Sequence, residues 1–291
     1  PAQQSGLIYC SSMTKDISIS GNEFTDRSGS GISMSPQPDL TGEQIYVYTS
    51  LASVPVISPV NSATLNGTQM GFVTSPTEVH TAGLSWGLWI NKSSTVGAVS
   101  FQRILSKMGN GAGNDIVFGS YFINSSKQIE TFVSFDGVST VGSQLTPSIT
   151  DDQWYFLGVT FDGITIKQYL DGVEVNSDSL VGTLNNDTRD LHIGYNPTFL
   201  GQEFGGCVSA VFVSQQAFTT SVMNEAFVDS STYKCFDDIP NITSNSYVCS
   251  NLSTYTDSPS ATVDLSGSGN NWTTTGAVTY TNQGLSVECT N

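Results

Sequence analysis

The chain has 291 residues, a formal net charge of -16 and a sequence pI near 4.1. Its 9 Lys and Arg against 25 Asp and Glu exclude nucleic acid and anionic membrane as partners, because neutralising phosphate needs clustered cations. Charged residues make up only 12%, and roughly a quarter of the chain is Ser or Thr, which points away from a cytosolic enzyme or helical bundle and toward an extracellular, adhesive or virion-exposed β protein.

Pro1-Ala2-Gln3-Gln4 is polar and carries no leader, so either a signal was removed or only an initiator Met was lost. The second route suits a viral structural protein and the first a secreted adhesin. Residues 50–60, with Pro55 and Pro59, read as loop or edge. Beyond them strand-like alternation recurs and helical periodicity is nearly absent. Residues 116–122 predict one strand, and 129–135 a second with Ile129, Thr131, Val133 and Phe135 on one face. Residues 155–161 point Tyr155, Leu157, Val159 and Phe161 inward. Strands at 164–170 and 173–175 follow, then 191–194 and 207–213. Asp136-Gly137, Asp162-Gly163 and Asp171-Gly172 supply hairpin turns, since Gly accepts positive φ and Asp tolerates it; together they predict an antiparallel meander. Only 219–227 reads as a helix, with Val222, Met223, Ala226 and Phe227 on one side. No apolar run reaches the roughly 18 residues of a membrane span.

Cysteines stand at positions 10, 207, 235, 249 and 289, an odd number that leaves one outside any intrachain pairing. None forms a C-x-x-C pair, and His80 and His192 lie far from all of them, which argues against zinc. Cys235 and Cys249 would close a short loop and are a candidate disulfide; the alternative is buried thiols packing as small hydrophobes.

An ordered set of segments carries a family resemblance. They are Leu84-Ser85-Trp86-Gly87-Leu88-Trp89-Ile90, Arg103-Ile104-Leu105, Trp154-Tyr155-Phe156-Leu157-Gly158-Val159, Tyr169-Leu170-Asp171-Gly172, Leu191-His192-Ile193-Gly194 and Gly205-Gly206-Cys207-Val208. In this order and spacing the chain resembles the laminin-G-like, concanavalin-A-like lectin/glucanase jelly rolls. The resemblance implies an all-β fold: two stacked antiparallel sheets, with one short helix near the end of the domain. It makes Trp86, Trp89 and Trp154 packing residues. Residues 72–230 would be the sandwich, 1–71 its opening strand, turn and irregular lead-in, and 231–291 a C-terminal extension.

That extension repeats the opening. Tyr9-Cys10 and Asp26-Arg27-Ser28-Gly29-Ser30-Gly31 are echoed by Val248-Cys249 and Asp264-Leu265-Ser266-Gly267-Ser268-Gly269. The second copy packs on the same sandwich, adds strands to a neighbouring subunit, or is a trimmed further domain.

Catalysis finds little support. Glucanases of this fold place two carboxylates on one strand face, whereas Glu130 with Asp136, and Asp171 with Glu174, are each separated by a turn. No catalytic residue is assigned and no cofactor is required. Relatives in the family hold a structural Ca²⁺ with the opening-turn Asp, which assigns Asp26 and Asp264 as metal candidates; the partner acid on the closing strand is replaced by Ser209. Asx capping of the turn is the competing role for both. Exposed aromatics beside amides suit sugars, which singles out Trp272 with Asn270 and Asn271, and Tyr195. The expected function is a non-catalytic structural or adhesive protein of a virion surface, such as a capsid decoration, fibre or tail component. It would be oligomeric or part of a larger assembly, with glycans or other virion proteins as partners and no membrane insertion. A secreted or cell-surface lectin is the alternative, and a glycoside hydrolase the second.

Overall fold

The structure, a computed structural model, describes residues 83–230 apart from 97–98, 110–111 and 114, then 236, 239–250, 264–275 and 279–281, together with six strands between 17 and 73. The chain divides into two compact units, Pro1–Ile57 and Ser58–Asn291. In the first, β1 (Ile17–Ser20), β2 (Glu23–Asp26), β3 (Ser33–Pro38) and β4 (Gln44–Ser50) form an antiparallel sheet in sequence order. The expected lead-in is thus strand-bearing.

The second unit is a two-sheet sandwich. One sheet has the order β11 (Val141–Leu145), β10 (Gln128–Val133), β9 (Ile116–Ile123), β8 (Phe101–Met108), β15 (Leu191–Ile193), β6 (Met70–Val73) and β18 (Thr273–Thr275). The other has the order β14 (Val173–Ser179), β13 (Thr165–Leu170), β12 (Trp154–Phe161), β7 (Leu84–Lys92), β16 (Gly205–Ser214), β5 (Ser62–Asn66) and β19 (Thr279–Thr281). An eighth strand, β17 (Ser246–Ser250), also pairs with β16. The helix α1 (Thr220–Ser230) lies where periodicity placed it, and a second, one-turn helix α2 (Pro240–Thr243) joins it. No helix among the described residues is long and apolar enough to cross a membrane.

The three Asp-Gly turns serve two sheets and so do not form a single meander. Asp171-Gly172 is the tight two-residue hairpin between β13 and β14, with both residues at positive φ (50° and 74°). Asp162 Oδ1 accepts the Ile164 and Thr165 amides between β12 and β13. Asp136 Oδ1 does the same for Val138 and Ser139 in the other sheet, between β10 and β11. These two amides hold the exposed Asp136 carboxyl down to about 2.

The core lies between the sheets. Trp86, Leu88, Leu157 and Val159 from one meet Ile104, Phe118, Phe122 and Val133 from the other, all fully buried. Trp86 crosses the gap, its indole donating to Ser120 Oγ at 3.0 Å. A second cluster covers the opposite face of the eight-stranded sheet. There Trp89, Phe156, Tyr169 and Phe212 pack beneath Met223 and Ala226 of α1, with Phe236, Ile239 and Ile242 beside them. Trp89 donates to Ser230 Oγ of α1 at 2.7 Å, and the half-buried Trp154 packs against the same cluster. With both faces covered, β7 and β16 are buried along their whole length.

The C-terminal extension packs in cis. β17 pairs with Val211–Ser214 of β16, β18 with β6 and β19 with β5. Asp264 ties the extension to β17: Oδ1 accepts the Cys249 and Ser266 amides, and Oδ2 accepts the Ser266 hydroxyl and the Asn270 amide, all at 2.8–3.0 Å. Four hydrogen bonds to one buried carboxylate make Asp264→Ala costly, by about 3 kcal/mol. Urea unfolding of the two chains measures it; an unchanged midpoint would refute the clamp. Asp264→Asn, which keeps one acceptor, falls between them.

Candidate functional site

Among the described residues, α1 and its neighbours pack on the outer face of the eight-stranded sheet, and the outward face of the seven-stranded sheet carries partly exposed aromatic and charged side chains. Strand register assembles it. Glu130 on β10 stands opposite Tyr121 on β9 and Leu145 on β11, and Tyr121 stands opposite Arg103 on β8. Cross-strand partners share a face, so these four form a row, while their neighbours Phe122 and Ile129 point into the core.

Arg103 is the centre of this face. Its guanidinium lies 4.2 Å from the Phe199 ring centroid and 5.0 Å from that of Tyr121, and Nε donates to Gln202 Oε1 at 3.1 Å. The Arg103 amide also donates to the Gln202 carbonyl at 2.8 Å, which fixes the 196–203 loop along β8. Phe101 meets Tyr121 edge to face at 5.5 Å and is 42% exposed, and Leu200 at the loop tip is 76% exposed. Burial, and then the hydrogen bond to Glu130, push the Tyr121 hydroxyl well above the ordinary phenol range. Glu130 in turn accepts from the Ser143 hydroxyl. Phe132 lies over Gly119, where a Cβ would sit 2.7 Å from the ring, and is itself buried with Met108 and Ile116 against Tyr121 and Phe199.

The face runs into a cleft of about 390 Å³ lined by Met108, Asp187, Arg189, His192 and Thr198 among others. Arg189 pairs with the buried Asp115 at 2.7 Å. Asn196, also buried, donates to Ser106 Oγ and the Met108 carbonyl, and accepts the Thr198 amide. Met108, which lines the cleft, packs with Tyr121 and Phe199, so aromatic rings, a guanidinium, carboxylates and amides lie close together on this side. That set stacks on and hydrogen-bonds to polar ligands.

The residues singled out from sequence lie elsewhere. Trp272 is 3% exposed and fills the core between the sheets, and Tyr195 is 8% exposed, so neither offers a ring to a sugar. Asn270 and Asn271 build the Asp264 turn instead: Asn270 Nδ2 donates to the Tyr247 carbonyl, and Asn271 Oδ1 accepts the Asp264 amide. Asp264 uses both oxygens in the four hydrogen bonds described above, the Asx role. Asp26 closes β2, and its side chain lies outside the described residues. Among the described residues no group of three His, Cys, Asp or Glu is placed to hold a metal. Cys249 is buried on β17 and Cys207 on β16 is disulfide-bonded. Cys235 itself lies outside the described residues.

The carboxylates weighed for catalysis are spent on structure. Asp136 caps its turn, Asp171 Oδ1 accepts the Phe156 amide at 2.8 Å, and Glu174 pairs with Lys167 at 2.9 Å. Only Glu130 faces the candidate surface. The patch it belongs to, with Phe101, Arg103 and Tyr121, was missed from sequence. Its signal is weak: outward positions alternating with Gln102, Ile104 and Phe122.

His192 yields a pH dependence. Burial lowers its pKa from the ordinary 6.5, against the opposing charge of Asp190. The unfolded chain binds a proton that the buried imidazole resists, so stability is complete above 6.5 and declines as pH falls toward the lower folded value. Urea midpoints at about pH 7.5 and 5.5 should drop more for the native chain than for His192→Gln. Equal drops would show that His192 contributes nothing.

Comparison with known proteins follows this geometry. The model of the laminin-G-like family of the concanavalin A-like lectin/glucanase superfamily matches residues 66–221, more than half of the chain. Among curated proteins no relative is found. A Bacteroides ovatus protein, provisionally described as carbohydrate-binding, is similar at 14% identity and a TM-score of 0.55, over 82% of this chain and 67% of its own. A heptameric SAP-like pentraxin from Limulus polyphemus is similar at 13% identity and a TM-score of 0.51, over 80% of this chain and 98% of its own. These likenesses concern the fold, and with the family match they lead to one conclusion: the chain belongs to the laminin-G-like branch of the concanavalin A-like lectin/glucanase superfamily.

Proposed function

We propose that this chain is a non-catalytic carbohydrate-binding protein that attaches its bearer to a glycan surface through the outward face of the seven-stranded sheet. The observation that carries this reading is the Arg103 platform. The row Arg103–Tyr121–Glu130 is flanked by the exposed Phe101 on β8 and by Phe199 and Gln202 of the neighbouring loop, which pack on and hydrogen-bond to Arg103. Sugar rings present axial C–H groups to aromatic faces and hydroxyls to charged and amide side chains, and the platform offers both. The description of the Bacteroides ovatus protein is consistent with the same use of the fold.

The finer reading is a virion-surface protein, a decoration, fibre or tail component, with other virion proteins and glycans as partners. What supports it is the charge-poor, hydroxyl-rich composition. Capsid or tail genes beside its gene would support this reading, and genes for a secretion pathway would favour the secreted adhesin.

A glycan array tests the binding face. The native chain should bind a defined subset of glycans, and Arg103→Ala or Phe101→Ala should weaken that binding by about tenfold, the effect of losing some 1.4 kcal/mol. Silence of the folded native chain, with and without Ca²⁺, would overturn the reading. Incubation with β-glucans should release no reducing ends. Turnover that disappears in Glu130→Gln would make the protein a hydrolase instead.

A further inference from the structure

The sequence carries one structural element twice, and the sandwich has one seat for it. The seat is the edge of β16. Its Gly205–Val208 half is taken by β5, and its Val211–Ser214 half by β17, so the edge has no vacancy. The occupant is held by three features: Tyr247 and Val248 buried in the core, the Asp264 hydrogen bonds, and a turn that needs Gly267 and Gly269 at φ of 80° and 79°.

Residues 6–31 reproduce these features in sequence. Ile8-Tyr9-Cys10 aligns with Tyr247-Val248-Cys249, and Asp26-Arg27-Ser28-Gly29-Ser30-Gly31 matches the Asp264 turn at five of six positions. The separation from Cys to Asp is 16 residues in one copy and 15 in the other. Both glycines that the turn conformation demands are present, as Gly29 and Gly31. Most of the β1–β2 hairpin falls between the matching pieces, in the place of residues 251–263; Asp26 closes β2 opposite Ile17, and β2 also pairs with Ser33 and Met34 of β3, so seating the turn releases these end pairings.

We infer that residues 6–31 are a second occupant for the seat beside Val211–Ser214, and that they fill it on another copy of this chain, linking copies by strand exchange. The C-terminal copy holds the seat within its own chain because it binds better. Asn270, Asn271 and Trp272 correspond to Ile32, Ser33 and Met34 in the N-terminal copy. The N-terminal copy therefore lacks the amide bonds to Tyr247 and Asp264, and the indole that fills the core. Exchange follows when the C-terminal element lets go. This inference is independent of the glycan reading.

The test uses the full chain and a labelled synthetic peptide of residues 6–31, followed by fluorescence anisotropy. Asp264→Ala weakens the resident element, so that chain should bind the peptide at least about tenfold more tightly than the native chain does. A peptide carrying Asp26→Ala should lose that binding. Native mass measurement should show Asp264→Ala forming dimers and larger species that a second substitution, Asp26→Ala, returns to monomer. Asp264→Asn replaces it if the Ala chain does not fold. If a folded variant binds a peptide of residues 245–272 but not that of 6–31, the seat rejects the N-terminal copy. If it binds neither, the seat does not exchange. Either result overturns the inference.

Discussion

The sandwich depends on β16. All ten of its residues are buried, and it is hydrogen-bonded to β7 on one edge and to β5 and β17 on the other. A bulge at Ala210, where φ is 39°, shifts the register between Ser209 and Val211. The bulge changes which face each side chain takes. Val208, Val211 and Val213 all enter the core between the sheets, while Ala210 and Phe212 turn to the helical cover. One strand therefore supplies both hydrophobic layers, and the C-terminal extension is required to complete its edge.

Burying that strand on both faces decides where binding can occur. The helical cover closes one side of the sandwich, and the intersheet core is dense with aromatic and aliphatic groups. The outward side of the seven-stranded sheet is left with a mixed surface. Its rings are only partly exposed, and Arg103 is packed among them, held by Gln202 and the neighbouring loop. A guanidinium held this way loses little freedom on meeting a ligand, which favours specificity over adaptability.

Buried polar groups are numerous inside the unit, mostly hydroxyls and amides with only a few charges. Lys92 is 2% exposed, and its ammonium donates to the Ser93 and Val96 carbonyls while lying 5.8 Å from the Phe122 ring. Burial lowers its pKa, with Asp151 opposing. Its role is to close the turn after β7. Gln168 bridges the sheets to the Ile129 carbonyl, yet its own oxygen has no partner among the described residues, a cost borne within the core. The low charge count of the chain is thus matched by an interior that uses its few cations as structural donors.

Strand periodicity, the Asp-Gly turns, the helix at 219–227 and the ordered family segments were legible in the sequence because they are local: each depends on alternation, on a φ that Gly permits, or on short spacing. Trp86 and Trp89 were legible as packing residues through the family resemblance. Long-range pairing was not. No local signal says that β11 ends one sheet and β12 begins the other, or that Phe101, Arg103, Tyr121 and Glu130 from three strands meet in one patch. Trp272 and Tyr195 look like ligand-facing aromatics until strand pairing buries them. The amino-acid order determined which segments become strands and turns, since backbone conformation answers to near neighbours. Which side chains share a face, and which face stays open to solvent, was decided only by the sheets stacking, because burial is a property of the assembled layers and not of any one segment.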